Sequence, residues 1–182
     1  MSVEPAAFLH AAAGDGPAVG LALAGPGGDA PSTAGTAAVA RRISGAAART
    51  LDELFTAFAR AWDFPAHFGG NKDAFDDAVL DLNPRLFTAT GAPARGYLTV
   101  ITEAEQLLNA ADPDDFGWFA ESIDYYRADY RDRSPADRRG FAVLLVSEPA
   151  AAAAVRERWT AAGVAPVAVA CSPVADTTVK GS

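Results

Sequence analysis

Apolar residues follow a helical repeat in one part of the chain and form short continuous runs in others. The run GFAVLLVS at residues 140–147 is typical of a strand covered on both faces, and GYLTVIT at residues 96–102 also predicts a strand. The three- and four-residue spacing of an amphipathic helix is followed by Leu51, Leu54, Phe55, Phe58 and Trp62.

Start and stop signals frame two of the helices. Thr50 followed by Glu53 has the spacing of a capping box, and Pro65 stops the helix that begins there. Asn71 is a suitable N-cap for the next helix, which is predicted to run to about Leu82. Because helices lie between successive strands, the pattern predicts a parallel sheet with right-handed crossovers.

The pattern divides the chain at residue 36. Residues 1–36 are rich in Ala, Gly and Pro, which is typical of an extension or a loosely packed arm. Residues 37–182 are predicted to form a small α/β domain with a parallel three- to four-stranded sheet packed with helices, including an added C-terminal helix and strand. Further strands are predicted at residues 19–24, 37–44 and 164–172, and further helices at residues 103–111, 117–132 and 149–162.

Composition narrows the class of protein. One cysteine excludes an internal disulfide, and with only two histidines the chain has too few ligands for a Cys/His zinc site. No apolar run is long and bulky enough to span a bilayer, and the first residues lack the basic region of a signal peptide. We therefore expect a soluble cytoplasmic protein that uses no metal or cofactor.

The excess negative charge lies in one central segment. Thirteen Asp/Glu and five Lys/Arg fall within residues 69–132, which accounts for the whole net charge of −8. This disfavours a nucleic-acid ligand, because phosphates need a basic surface. It favours a basic partner, whose approach a field of one sign can steer. Acidity that only keeps the protein soluble remains an alternative.

The helix predicted from Asn71 carries much of this charge. At 100° per residue, Asp73, Asp76, Asp77 and Asp81 share a face roughly 140° wide, opposite the apolar side. Leu80 falls among these acids, so we expect it to be exposed and available for contact. The pattern is typical both of a solvated face and of a binding face.

The helix at residues 117–132 presents a second surface of the same kind. Trp118 and Tyr125 lie beside acidic residues and away from the core-facing stripe, which is typical of an interface. The alternative is that both tuck under a neighbouring loop. The stripe itself is formed by Phe119, Ile123, Tyr126 and Tyr130.

These features together resemble the barstar family of ribonuclease inhibitors. The resemblance runs from about Ala37 to Val146, and its centre is the stretch FPAHFGGNKDAFDDAVLDL at residues 64–82. The family pattern of a proline, two aromatics, Gly, Asn, Asp-Ala and a further Asp is matched by Pro65, Phe68, Gly69, Asn71, Asp73, Ala74 and Asp77.

The resemblance implies a binding protein and not an enzyme. Family members place this helix and its preceding loop in the active-site cleft of a secreted microbial ribonuclease, and so protect the host cytoplasm. The chain would be a monomer when free. Carried over by position, Asp77 would be the central contact, Asp73 the second acidic contact, and Asp129 the acid on a later helix. The full expected contact set is His67, Phe68, Gly69, Asn71, Asp73, Asp76, Asp77, Leu80, Asp81 and Asp129.

Departures from the family pattern leave the target open. His67 stands where an aromatic is usual, Lys72 where an apolar residue is commoner, and Asp76 where a bulky contact residue is common. With Leu80, the last two are expected to set target preference. The main alternative is a barstar-like immunity or regulatory protein that binds a different toxin or partner.

Two groups of acidic residues have a spacing that is also found in metal sites. Asp73 and Asp77 have a one-face spacing that could bind Mg²⁺ in a phosphoryl-transfer enzyme, but basic residues and a Gly-rich phosphate loop are missing. The segment at residues 112–121 resembles a calcium loop, yet Ile123 stands where the twelfth-position Glu belongs. We reject the calcium site and expect a helix start near Asp114 or Asp115.

Overall fold

The computed structural model describes residues 2–25, 28–33 and 35–171. The strands are β1 (Val19–Leu23), β2 (Ala38–Ser44), β3 (Gly96–Thr102), β4 (Gly140–Ser147) and β5 (Val167–Ala168). They form one parallel sheet in the order β2-β3-β4-β1-β5. The helices are α1 (Pro5–Ala12), α2 (Leu51–Trp62), α3 (Lys72–Leu80), α4 (Pro113–Asp132) and α5 (Ala152–Ala161). The predicted α/β fold is confirmed, with five strands in place of three to four.

β4 is the centre of the molecule, and it is buried along its whole length. Phe141, Val143 and Leu145 point into the larger apolar cluster, where α2, α3, α4 and α5 pack on the sheet. Leu144 and Val146 point into a second cluster on the opposite face. The prediction of a strand covered on both faces is therefore confirmed.

The N-terminal segment packs into this fold, so the expectation of a loosely packed arm is wrong. β1 pairs with β4 on one side and β5 on the other, and Phe8 and Ala12 of α1 are buried in the second cluster. The small residues that look like an arm allow close packing. A Cβ on Gly20 would lie 2.7 Å from Val169 Cγ2. The division of the chain at residue 36 stays a prediction.

The predicted helix at residues 103–111 is wrong, because this segment forms a series of turns. Glu103 and Leu108 have left-handed backbones, with φ of 51° and 50°. The Leu108 N–H donates to the Ala48 carbonyl at 2.8 Å, and the Ala110 N–H donates to the Arg49 carbonyl at 3.0 Å. Hydrogen bonds to the segment before α2 thus replace those of a helix.

The remaining boundaries shift by a few residues. The capping box at Thr50 is confirmed. α4 begins at Pro113 with Asp112 as its N-cap, close to the helix start expected near Asp114 or Asp115 and four residues before the boundary predicted at residue 117. The predicted last strand is shorter, and its end at Ser172 lies outside the described residues. Among the described residues, no helix is both long and apolar enough to cross a membrane.

Candidate functional site

α3 is fixed at its start by a side-chain cap and along its length by two buried residues. The Asn71 carboxamide oxygen accepts a hydrogen bond from the Ala74 N–H at 2.9 Å, as predicted. Phe75 and Val79 lie in the larger cluster, where Phe75 contacts the rings of Phe55 and Phe58. This packing leaves two flanks of the helix outside the core, one facing α4 and one facing solvent.

The flank that faces α4 carries Lys72, Asp76 and Leu80, which we call the packed row. Lys72 Nζ lies 2.8 Å from an Asp115 carboxylate oxygen, and it sits 5.1 Å from the centre of the Trp118 ring. The half-buried Asp76 carboxylate accepts a hydrogen bond from the Tyr126 hydroxyl. Two of the residues expected to set target preference therefore bind α4.

Leu80 is partly buried against the core, so its predicted exposure is wrong. Its carbonyl accepts a hydrogen bond from Arg133 Nη2 at 2.6 Å. The same guanidinium binds the Asp129 carboxylate at 2.6 Å and 2.8 Å. Asp129, expected to be a second-helix contact, is thus neutralised within the chain. The helical repeat could not show this, because the neighbour comes from another part of the chain.

The other flank carries Asp73, Asp77 and Asp81, which we call the acidic row. All three are exposed, and none forms an ion pair within the described part of the chain. Their spacing of four residues makes two like-charge neighbours, each unfavourable for the helix. Asp73 lies in the first turn, where the helix dipole favours a carboxylate, but Asp81 is the C-cap, where the dipole opposes one. The acidic row therefore lowers the stability of the unbound protein.

The loop at residues 65–69 lies beside the acidic row. Between loop and helix is a pocket of about 230 Å³, and two carboxylates are among its lining residues. The pocket is lined by Pro65, His67, Phe68, Gly69, Ala74, Asp77, Ala78 and Asp81. His67 is exposed, so the structure brings together its imidazole and the acidic row on one accessible surface.

The loop is anchored through its aromatic residue. Phe68 is half-buried, with its ring centre 5.2 Å from that of Phe64 and 6.1 Å from that of Phe55. Gly70 has φ of 62°, which favours glycine. A Cβ on Gly69 would lie 3.3 Å from the side-chain nitrogen of Asn71, whose carboxamide oxygen caps α3. Phe68, Gly69 and Asn71 therefore determine the conformation of the loop and the start of α3.

Buried tyrosines hold the end of α3. The helical repeat predicts Tyr130 as core-facing and carries no signal of its hydrogen bonds. The Tyr130 hydroxyl donates to the Val79 carbonyl at 2.6 Å and accepts from the Leu82 N–H at 3.2 Å. The Tyr97 hydroxyl donates to the Leu82 carbonyl at 3.1 Å. Burial raises the pKa of Tyr126 and of Tyr130 well above the usual range of tyrosine, and the bonded Asp76 carboxylate adds to the pKa shift of Tyr126.

The two aromatics expected at an interface on α4 behave differently. Trp118 is half-buried, with edge contacts to the rings of Phe55 and Phe75, so it belongs to the border of the core. Tyr125 is 57% exposed. Within the described residues, no three His, Cys, Asp or Glu side chains are placed to hold a metal ion.

Comparison with known proteins identifies a family for the chain. The family model described as Barstar (barnase inhibitor) matches residues 38–146, a range that spans β2 to β4 and includes α3 with both of its rows. No curated protein matches the chain at the significance required of a relative. On the family match, which covers more than half of its length, the chain belongs to the barstar family.

Proposed function

We propose that this protein inhibits a microbial ribonuclease by placing the acidic row and the loop at residues 65–69 in the basic active site of that enzyme. An RNA-cleaving cleft holds phosphates with cationic side chains, and the three carboxylates of the row offer matching charge on a rigid helix. Because the helix and loop are already formed, little conformational entropy is lost on binding.

One observation carries the proposal. The fold pairs Asp76, Asp115 and Asp129 with donors of its own, yet within the described residues Asp73, Asp77 and Asp81 have no ion-pair partner. A carboxylate that stabilises the fold is expected to have a donor within the chain, as Asp76, Asp115 and Asp129 do. A cationic partner would relieve the repulsion along the row, and this supports a role in binding.

Within the row we assign the central contact to Asp77. It lies between Asp73 and Asp81, and it lines the pocket together with His67. Asp73 and Asp81 flank it one helical turn away on either side. The assignment to Asp77 also agrees with its position in the family pattern.

Two of the three departures from the family pattern are explained by contacts within the chain. Lys72 and Asp76 both lie in the packed row, where Asp115 and Tyr126 occupy them. His67 is the one departure that makes no ion pair or hydrogen bond within the described residues. This favours ribonuclease binding over the alternative of an immunity or regulatory protein for a different kind of partner.

The test is inhibition at equal concentrations. Purified protein is mixed with a panel of basic microbial ribonucleases that includes barnase, and RNA cleavage is followed at several salt concentrations. We expect at least one enzyme to be inhibited stoichiometrically. We also expect added salt to slow association more than it speeds dissociation, because the attraction between separated charges is screened.

The control for this assay is the charge-neutral variant Asp77→Asn, which should inhibit the same enzyme far less. Inhibition that is equally strong with Asp77→Asn, or no inhibition of any ribonuclease at a stoichiometric ratio, would contradict the proposal. Inhibition of a toxin that does not cleave RNA would support the alternative partner instead.

A further inference from the structure

The outer edge of β2 carries backbone groups that are open for pairing. The Arg95 N–H donates to the Ala37 carbonyl at 2.7 Å, which sets the phase of the parallel pairing with β3. Because alternate residues of a strand turn their backbone groups to opposite sides, those of Ala38, Ala40 and Arg42 point away from β3. Within the described residues, no backbone hydrogen bond reaches them from that side.

The opposite edge of the sheet shows how this chain covers an exposed strand. The Val3 N–H donates to the Ala168 carbonyl at 2.9 Å, and the Ala170 N–H donates to the Val3 carbonyl at 2.8 Å. On β2 the Ala40 carbonyl accepts a hydrogen bond from the side chain of its neighbour Arg41 at 3.5 Å, and no other described residue donates to it. An edge strand whose outward backbone groups lack a partner strand is a ready template for another strand.

Two loops turn this edge into a slot. Thr33, Gly35 and Thr36 stand on one side and residues 87–90 on the other, around a volume of about 230 Å³. The second loop is held in shape, since the Thr88 N–H donates to the Ala92 carbonyl at 2.8 Å. Phe87 at its rim is 63% exposed. The slot therefore combines free backbone groups with an apolar contact.

The charge at the edge indicates what would fill it. Arg41 lies on the sheet face of Val39, with its guanidinium 5.8 Å from the Trp62 ring centre. Arg42 is exposed on the opposite face, and no acceptor contacts it in the described part of the chain. A strand laid along β2 would have an arginine on each side, so adjacent acidic residues in that strand would be complementary to both.

We propose that the open edge of β2 is a docking site for an extended segment of a protein partner, which has adjacent acidic residues flanked by apolar ones and adds a sixth strand to the sheet. Backbone hydrogen bonds to Ala38, Ala40 and Arg42 supply affinity, as in other cases of strand addition. A second copy of this chain fits less well, because symmetric pairing would bring the arginine pairs of both copies together.

A labelled peptide with the sequence Val-Thr-Val-Glu-Glu-Val-Thr tests the proposal with the full chain, read by fluorescence anisotropy. Its counterpart has Lys-Lys in place of Glu-Glu. We expect the acidic peptide to bind at least tenfold more tightly. Ala40→Pro should weaken that binding at least tenfold, because it removes an outward N–H and leaves the pairing with β3 intact. Ala40→Gly is the matched control, since it keeps the N–H.

Arg42→Glu is a second variant, on an exposed side chain, in case Ala40→Pro disturbs folding. It should shift the preference toward the basic peptide. Equal binding of the two peptides, no binding of either, or binding unchanged by both variants would overturn the proposal. A dimer that Ala40→Pro converts to a monomer, or binding seen only after residues 172–182 are removed, would also overturn it, since the occupant would then be this chain itself.

Discussion

A single carboxylate on α3 has a different role according to the flank on which it lies. Asp76 and Asp77 are adjacent in sequence, yet Asp76 binds the Tyr126 hydroxyl of α4 and Asp77 faces solvent beside the pocket. One acid therefore contributes to the folded state, and the other is free to contribute to binding. The difference can be measured by removing the partner of Asp76.

Tyr126→Phe is expected to lower the free energy of unfolding by about 1–3 kcal/mol at pH 7, because it leaves a half-buried carboxylate without its donor. Urea unfolding measures the change. Burial raises the pKa of folded Tyr126, so its contribution to stability is complete below the ordinary tyrosine pKa of about 10 and is lost as pH rises above it. The stability gap between wild type and variant should therefore narrow above about pH 10.

Tyr125→Phe is the matched control for that experiment. The Tyr125 ring is 57% exposed and neighbours Tyr126 in the chain, so its change should be close to neutral at every pH. Equal losses for the two variants, or a gap that stays constant into alkaline pH, would contradict the assigned role of the Tyr126–Asp76 hydrogen bond.

α3 as an element depends on how its first turn is capped. Asn71→Ala removes the acceptor of the Ala74 N–H and should cost about 1 kcal/mol of stability. Asn71→Asp keeps a good capping oxygen and should restore most of it. Thermal unfolding of the two variants provides the measurement, and equal destabilisation would show that the cap contributes little.

The helical spacing of apolar residues predicts which side of a helix is buried, but it does not show which neighbour covers each flank. The spacing of Phe75 and Val79 predicts α3 and its buried side, and burial confirms both. The same spacing cannot separate Asp76 from Asp77, since that depends on which flank α4 covers. In β1, the close contact with Val169 requires a small residue at Gly20. Because small residues differ little in hydrophobicity, the pattern of the N-terminal segment does not show that it packs into the sheet.

Across the whole molecule, the N-terminal segment completes the second face of the sheet. Phe8 is 1% exposed there, so Phe8→Ala should lower stability by about 3–5 kcal/mol. His10→Ala, on the exposed side of the same helix, should change stability little. Chemical denaturation compares the two. A small loss for Phe8→Ala would mean that residues 1–36 behave as a dispensable arm.

In our proposal, the packed row of α3 stabilises the fold and the acidic row binds the ribonuclease. Titration calorimetry of Asp77→Asn and Asp76→Asn against the inhibited ribonuclease, alongside their unfolding free energies, separates the two roles. Asp77→Asn should weaken binding by about 2 kcal/mol or more, as expected for a hot spot, and leave stability unchanged or slightly higher. Asp76→Asn should affect binding by less than about 1 kcal/mol and lower stability instead. Equal losses of binding in the two variants, or a larger loss for Asp76→Asn, would contradict the account.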